Sequence, residues 1–114
     1  MSQITTHILD TARGSPAVGV EVSLHSIDDT GAWTHVGKGE TDADGRVPDL
    51  CPTEQALAGG TYCVHFATAS YFEAQGLAVF YPFVDVVFTI DGDGQHYHIP
   101  LLLSPYSYST YRGS

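Results

Sequence analysis

Apolar and polar side chains alternate with a period of two along most of this chain. Val18, Val20, Val22 and Leu24 alternate with Gly19, Glu21 and Ser23. Ile4, Thr6 and Ile8 face one way, which turns Thr5, His7 and Leu9 the other. Tyr62, Val64 and Phe66 repeat the pattern, as do Val84, Val86, Phe88 and Ile90, and then Tyr97, Ile99, Leu101 and Leu103. Successive side chains on a strand point to opposite faces, so this period marks strands with one buried face. A weaker strand is predicted over Trp33 to Glu40.

Turn chemistry punctuates these runs at Arg13-Gly14-Ser15-Pro16, Asp28-Asp29-Thr30-Gly31, Asp42-Ala43-Asp44-Gly45 and Asp91-Gly92-Asp93-Gly94. Ala58-Gly59-Gly60 closes a stretch of helical or irregular character. One short helix is predicted over about Ser70 to Gln75, with Ser70 as its N-cap and Gly76 as its stop. Short strands at regular spacing with one small helix predict an all-β fold. The expectation is an antiparallel β-sandwich of about seven or eight strands, forming a single domain over residues 1–114.

Composition adds three expectations. Charged residues are 15% of the chain, below the usual share of about a quarter, which suggests a surface partly covered by other subunits. The formal net charge is −9, and the cations are Arg13, Lys38, Arg46 and Arg112. So acidic a chain is a poor partner for nucleic acid or an anionic membrane, and any cation at a functional site becomes conspicuous. No apolar run approaches the roughly 18 residues that span a bilayer, and Met1 to His7 lacks a basic stretch followed by an apolar one. The expectation is a cytoplasmic protein, with Cys51 and Cys63 as free buried thiols.

His96-Tyr97-His98 is the first candidate for chemistry. Residues i and i+2 share a strand face, so both imidazoles point away from the core that Tyr97 enters. His7 lies on the outward face of its own strand. Imidazole moves protons near neutral pH, which makes these histidines candidate acid–base groups. The same spacing fits two solvated surface histidines, and a third reading makes His7, His96 and His98 a three-nitrogen zinc site. Arg46 leaves a tight turn and suits an anionic, amide-rich ligand, or is a plain surface charge. The preceding Asp42-Ala43-Asp44-Gly45 lacks the downstream ligands of a calcium loop and reads as a turn. The end, Tyr106-Ser107-Tyr108-Ser109-Thr110-Tyr111-Arg112-Gly113-Ser114, suits a last strand with Tyr106, Tyr108 and Thr110 on one face and Ser107, Ser109 and Tyr111 on the other, which leaves Arg112-Gly113-Ser114 unexplained. No nucleophile elbow and no phosphate-cradling glycine run is present, so an enzyme here would activate water.

At this point His96-Tyr97-His98-Ile99-Pro100-Leu101-Leu102-Leu103-Ser104-Pro105, running into Tyr108-Ser109-Thr110-Tyr111-Arg112-Gly113-Ser114, resembles the 5-hydroxyisourate hydrolases of the transthyretin-like family. His7-Ile8-Leu9-Asp10, Gly14-Ser15-Pro16-Ala17, Thr41-Asp42-Ala43-Asp44-Gly45-Arg46 and Tyr71-Phe72 are similar to that family in the same order. Ser15 and Ser107 depart from its pattern. The resemblance implies a sandwich of two four-stranded sheets, and a homotetramer with active sites where two dimers meet. It implies hydrolytic opening of the six-membered ring of 5-hydroxyisourate to 2-oxo-4-hydroxy-4-carboxy-5-ureidoimidazoline, in urate degradation, with no cofactor and no metal. It places the catalytic set on His7, Arg46 and His98, with His98 as base. Tyr111, Arg112 and Ser114 orient the substrate, and His96 supports them. The rival class is a carrier that holds a small aromatic ligand in the same channel.

Overall fold

The structure, a computed structural model, describes residues 2–52 and 56–113. Nine strands and one helix follow in order: β1 (Ile4–Asp10), β2 (Ser15–Pro16), β3 (Glu21–Ile27), β4 (Trp33–Glu40), β5 (Arg46–Val47), β6 (Gly60–Ala67), α1 (Ala69–Ala74), β7 (Val84–Ile90), β8 (Tyr97–Ser104) and β9 (Ser107–Thr110). They form two sheets. The first runs β2-β1-β8-β9, with β5 also paired to β1; the second runs β4-β3-β6-β7. No described helix is long and apolar enough to cross a membrane.

The alternation does what the pattern predicts. Ile4 and Ile8 of β1, Val22 and Leu24 of β3, Val64 and Phe66 of β6, and Leu101 and Leu103 of β8 have no exposed surface. Fully burying such a side chain contributes about 1.5–3 kcal/mol relative to leaving it in water. Polar groups inside are satisfied. The buried Thr6 donates to the Ile99 carbonyl at 2.6 Å, stitching β1 to β8. The buried Asp10 accepts from the Ala12 and Arg13 amides and from the Tyr71 hydroxyl, so one carboxylate closes a turn and ties α1 to β1. Cys51 and Cys63 are free and buried, and burial, helped by Asp85, pushes the Cys63 thiol up to about 12.

Three details differ from the sequence expectations. β1 and β8 pair in parallel, with Thr5 opposite His98 and Ile8 opposite Leu101. The other pairings are antiparallel. Alternation cannot report strand direction, because the period is the same either way. Val18 is 53% exposed and precedes β3. Gly19 takes φ +79° and gives its amide to Thr41, so the chain reaches strand geometry only afterwards. The helix begins at Ala69, with Thr68 and not Ser70 at the N-cap position. The Thr68 hydroxyl donates to the Tyr81 carbonyl, which anchors the helix to the following loop instead of capping it. Its stop is as expected, at Gly76 with φ +71°. The irregular stretch expected before Gly59 lies partly outside the described residues.

Candidate functional site

A cleft of about 600 Å³ opens on the outward face of the first sheet, lined among others by Thr5, Arg46, His96, His98, Tyr111 and Gly113. Each arrives there for a local reason. Thr5 and His7 are outward residues of β1, whose inward partners fill the core, but of the two only Thr5 lines the cleft. His98 is the outward residue of β8, directly opposite Thr5. Arg46 opens β5, opposite His7.

The turn that delivers Arg46 is built by Asp42. Its Oδ1 accepts the Asp44 amide at 2.9 Å and the Arg46 amide at 3.0 Å. The Ile8 amide donates to the Gly45 carbonyl at 2.8 Å, which seats the turn on β1. Gly45 has φ +76°, and a Cβ there would meet the Ile8 carbonyl at 2.5 Å. Only glycine allows that approach. The Asp-x-Asp-Gly sequence is therefore a turn whose first carboxylate is occupied by backbone.

The chain end closes the cleft from the other side. After β9 it returns so that the Gly113 amide donates to the His98 carbonyl at 2.8 Å. A Cβ on Gly113 would lie 2.5 Å from His98 Cδ2, so the glycine lets backbone press against the ring. Tyr111 lines the cleft as well as a neighbouring cavity of about 230 Å³. Arg112 lines only the second of these cavities. Its Nη2 donates to Gln95 Oε1 at 2.9 Å and its guanidinium sits 4.6 Å above the Tyr97 ring. The fork is engaged with its own chain, and pins the returning segment. Ser114 lies outside the described residues.

His98 is half-buried, and its pKa lies below the ordinary histidine value. Burial is the main cause; the charges of Arg46, His96 and His7 act in the same sense, and the Thr5 carbonyl opposes them. A neutral ring at neutral pH is what a base requires. The His96 and His98 rings stack with centroids 6.4 Å apart. Thr5 Oγ1 lies 2.8 Å from His96 Nε2 and 2.8 Å from His98 Nδ1. Sequence reasoning put Thr5 on the same face as His7 but gave it no role; the missing information was the parallel register. Among the described residues, no three His, Cys, Asp or Glu side chains converge as a metal would need.

The sequence model of the HIUase/Transthyretin family matches residues 4–113. This chain belongs to that family. It is 51% identical over 111 residues to the 5-hydroxyisourate hydrolase of Salmonella dublin, covering 97% of this chain and 80% of that protein. It is 46% identical over 114 residues to the 5-hydroxyisourate hydrolase of Mus musculus, covering 99% and 96%. Among solved structures, sea bream transthyretin in complex with thyroxine superimposes with a TM-score of 0.89 at 38% identity, covering 97% of this chain and 94% of that one. The 5-hydroxyisourate hydrolase of Klebsiella pneumoniae superimposes with a TM-score of 0.83 at 34% identity, covering 99% and 100%. A hydrolase and a thyroxine-bound transthyretin thus share this fold, and shape alone does not separate them. The residues at the cleft must.

Proposed function

We propose that this protein is a 5-hydroxyisourate hydrolase. The observation that carries the reading is an imidazole and a guanidinium on one cleft, His98 and Arg46, in a chain with only four Lys and Arg side chains; burial lowers the His98 pKa, in the sense that suits a base. A carrier of an aromatic ligand needs neither group. The identity to hydrolases of Salmonella dublin and mouse supports the same substrate.

The reaction is water addition to a ring carbonyl of the six-membered ring. His98 Nδ1 is occupied by Thr5, which leaves Nε2 to take a proton from water. The hydroxide adds to the carbonyl carbon, and the negative charge that grows on oxygen is stabilised by Arg46. The C–N bond then breaks. The ring nitrogen takes the proton back, and the new acid ionises to a carboxylate. His7, opposite Arg46, shares the proton load with His98. Tyr111 orients the ring from the cleft wall. Arg112 acts by pinning the segment that carries Tyr111, and Ser114 with His96 completes the substrate side. No cofactor takes part.

In this reading the protein works as a cytoplasmic homotetramer of single-domain subunits, with the cleft at the dimer–dimer interface. Exposed Val18, Phe80, Tyr106 and Tyr108 support burial of apolar surface between subunits. The test is ultraviolet absorbance of freshly generated 5-hydroxyisourate, with a chelator present. Wild type speeds its decay, and Arg46→Gln loses about 10²–10³-fold of that rate, the usual effect of removing an oxyanion donor. Wild-type decay no faster than the spontaneous rate would sink the hydrolase reading and bring forward the carrier, for which the likeness to thyroxine-bound transthyretin speaks.

A further inference from the structure

Thr5 stands between two histidines, and a hydroxyl has one proton to give and two lone pairs to offer. Its contacts at 2.8 Å to His96 Nε2 and at 2.8 Å to His98 Nδ1 therefore have a direction. In one direction, His98 Nδ1–H donates to Oγ1 and Oγ1–H donates to His96 Nε2. His98 Nε2 then keeps its lone pair toward the cleft. In the other, His96 Nε2–H donates to Oγ1 and Oγ1–H donates to His98 Nδ1. His98 then carries its proton on Nε2 and cannot accept one from water.

The reading of His98 as base selects the first direction: Thr5 Oγ1 occupies Nδ1, and only a lone pair left on Nε2 can accept a proton from water. The neighbours of the ring also bear on it. Arg46 from β5 and His7 from β1 act on His98 as positive charges, and Asp42, Asp49 and Tyr111 line the same cleft. A guanidinium lining the same cleft favours a lone pair over an N–H on the nitrogen that Thr5 leaves free. Thr5 itself is held in place by the parallel register of β1 on β8 and by the Thr6 bond to the Ile99 carbonyl next to it.

We propose that Thr5 is a positioning residue for this site: its hydroxyl holds His98 with the proton on Nδ1 and the lone pair on Nε2, and exposed His96 is the acceptor that keeps the hydroxyl turned that way. The assignment rests on the reading of His98 as the base. It gives the His-x-His pair two unlike jobs. His98 reacts, and His96 sets the sense of the hydrogen-bonded chain behind it.

Thr5→Val removes the hydroxyl at nearly constant volume, and Thr5→Ser keeps it. Imidazole nitrogen NMR of the labelled full chain, assigned with His98→Ala, reads the tautomer without substrate. Wild type and Thr5→Ser are expected to show His98 protonated on Nδ1, and Thr5→Val to shift toward Nε2–H. In the 5-hydroxyisourate assay kcat falls about 10- to 100-fold in Thr5→Val, the usual loss for a group that orients a reactive imidazole, with KM little changed. Thr5→Ser recovers kcat to within about threefold. An Nε2–H tautomer in wild type, an unchanged tautomer in Thr5→Val, or a loss that serine does not recover overturns the proposal. If Thr5→Val does not fold, His96→Ala carries the test, because without its acceptor the hydroxyl turns to His98 and moves the proton to Nε2; an unchanged spectrum overturns the proposal there too. Absence of hydrolysis by wild type overturns the hydrolase reading, while the tautomer decides this one separately.

Discussion

The two sheets each present three histidines outward, and they use them differently. On the first sheet His96 and His98 line a cleft of about 600 Å³ with Thr5 and Arg46, and His7 stands beside it, paired with Arg46 across β1 and β5. On the second, His25, His35 and His65 lie across β3, β4 and β6. Trp33 packs 5.0 Å from the His25 ring and Phe83 packs 5.1 Å from the His65 ring. His25 and His35 are cross-strand neighbours with centroids 5.4 Å apart. His65 bonds Asp85 across to β7, and His25 Nε2 pairs with Ser23 Oγ at 2.9 Å. Imidazole density is equal in the two places. What differs is the company: a guanidinium and space for a substrate in the first, where the Asp42 carboxylate is engaged by backbone amides, and an aromatic cover with a carboxylate bonded directly to an imidazole in the second. A carboxylate beside the ring would repel an oxyanion that a guanidinium attracts.

The largest effect that could break this comparison is a pair of alanines. His98→Ala is expected to cost about 10²–10⁴-fold in kcat/KM, the usual contribution of a general base. His65→Ala is expected to stay within about twofold, as surface substitutions away from a site do. Equal losses measured by decay of 5-hydroxyisourate absorbance would show that the second trio shares in the chemistry. A smaller effect sharpens the role of the returning chain end. Gly113→Ala puts a methyl group where His98 Cδ2 already lies, so ring or tail must move. A displacement near 1 Å at a reacting group costs up to about 10²-fold. The expectation is a loss of about 10- to 100-fold with little change in thermal midpoint, since a methyl group at Gly113 itself meets the His98 ring and not the core. A midpoint that falls with the activity would instead make Gly113 a folding requirement.

These two sheets also show how far the residues alone could be read. Alternation exposed the core faces of β1, β6 and β8 and set His7, His96 and His98 outward, because period two follows from strand geometry itself. The closing Tyr111-Arg112-Gly113 segment was conspicuous in composition. What it does was not, because its role depends on a close approach of Gly113 to His98 that has no local signature. Thr5 was hidden for a similar reason. Its importance comes from the parallel pairing of the first strand with the eighth, across about ninety residues of chain. The second histidine trio was invisible as a group, since its members are brought together only by register across three strands. Arg112 read as a substrate contact from its place in the motif, and its contacts with Gln95 and Tyr97 had no signature in the sequence.

The smallest expected effect separates stability from catalysis in the same two clusters. Both His98 and His25 have pKa values below the ordinary 6.5, burial being the first cause in each. His35 and His65 add to the lowering of His25, and Asp85 opposes it. The native protein thus gives up protons that the unfolded chain holds just below that value. Their contribution to stability is complete above pH 6.5 and is lost as pH falls through the lowered native values. Denaturant midpoints should therefore decline on acidification below that point. His25→Gln removes one of the two groups and should make the decline shallower, by less than one proton in slope. Its kcat/KM at pH above the histidine range should match wild type, since His25 lies on the other sheet. The acid limb of kcat/KM should also be unmoved, because it reports His98. A shifted acid limb in His25→Gln would mean that the two sheets are electrostatically coupled through the sandwich. An unchanged stability slope would mean that His25 binds its proton equally well in the folded and unfolded chain, so that its surroundings on the second sheet do not shift it.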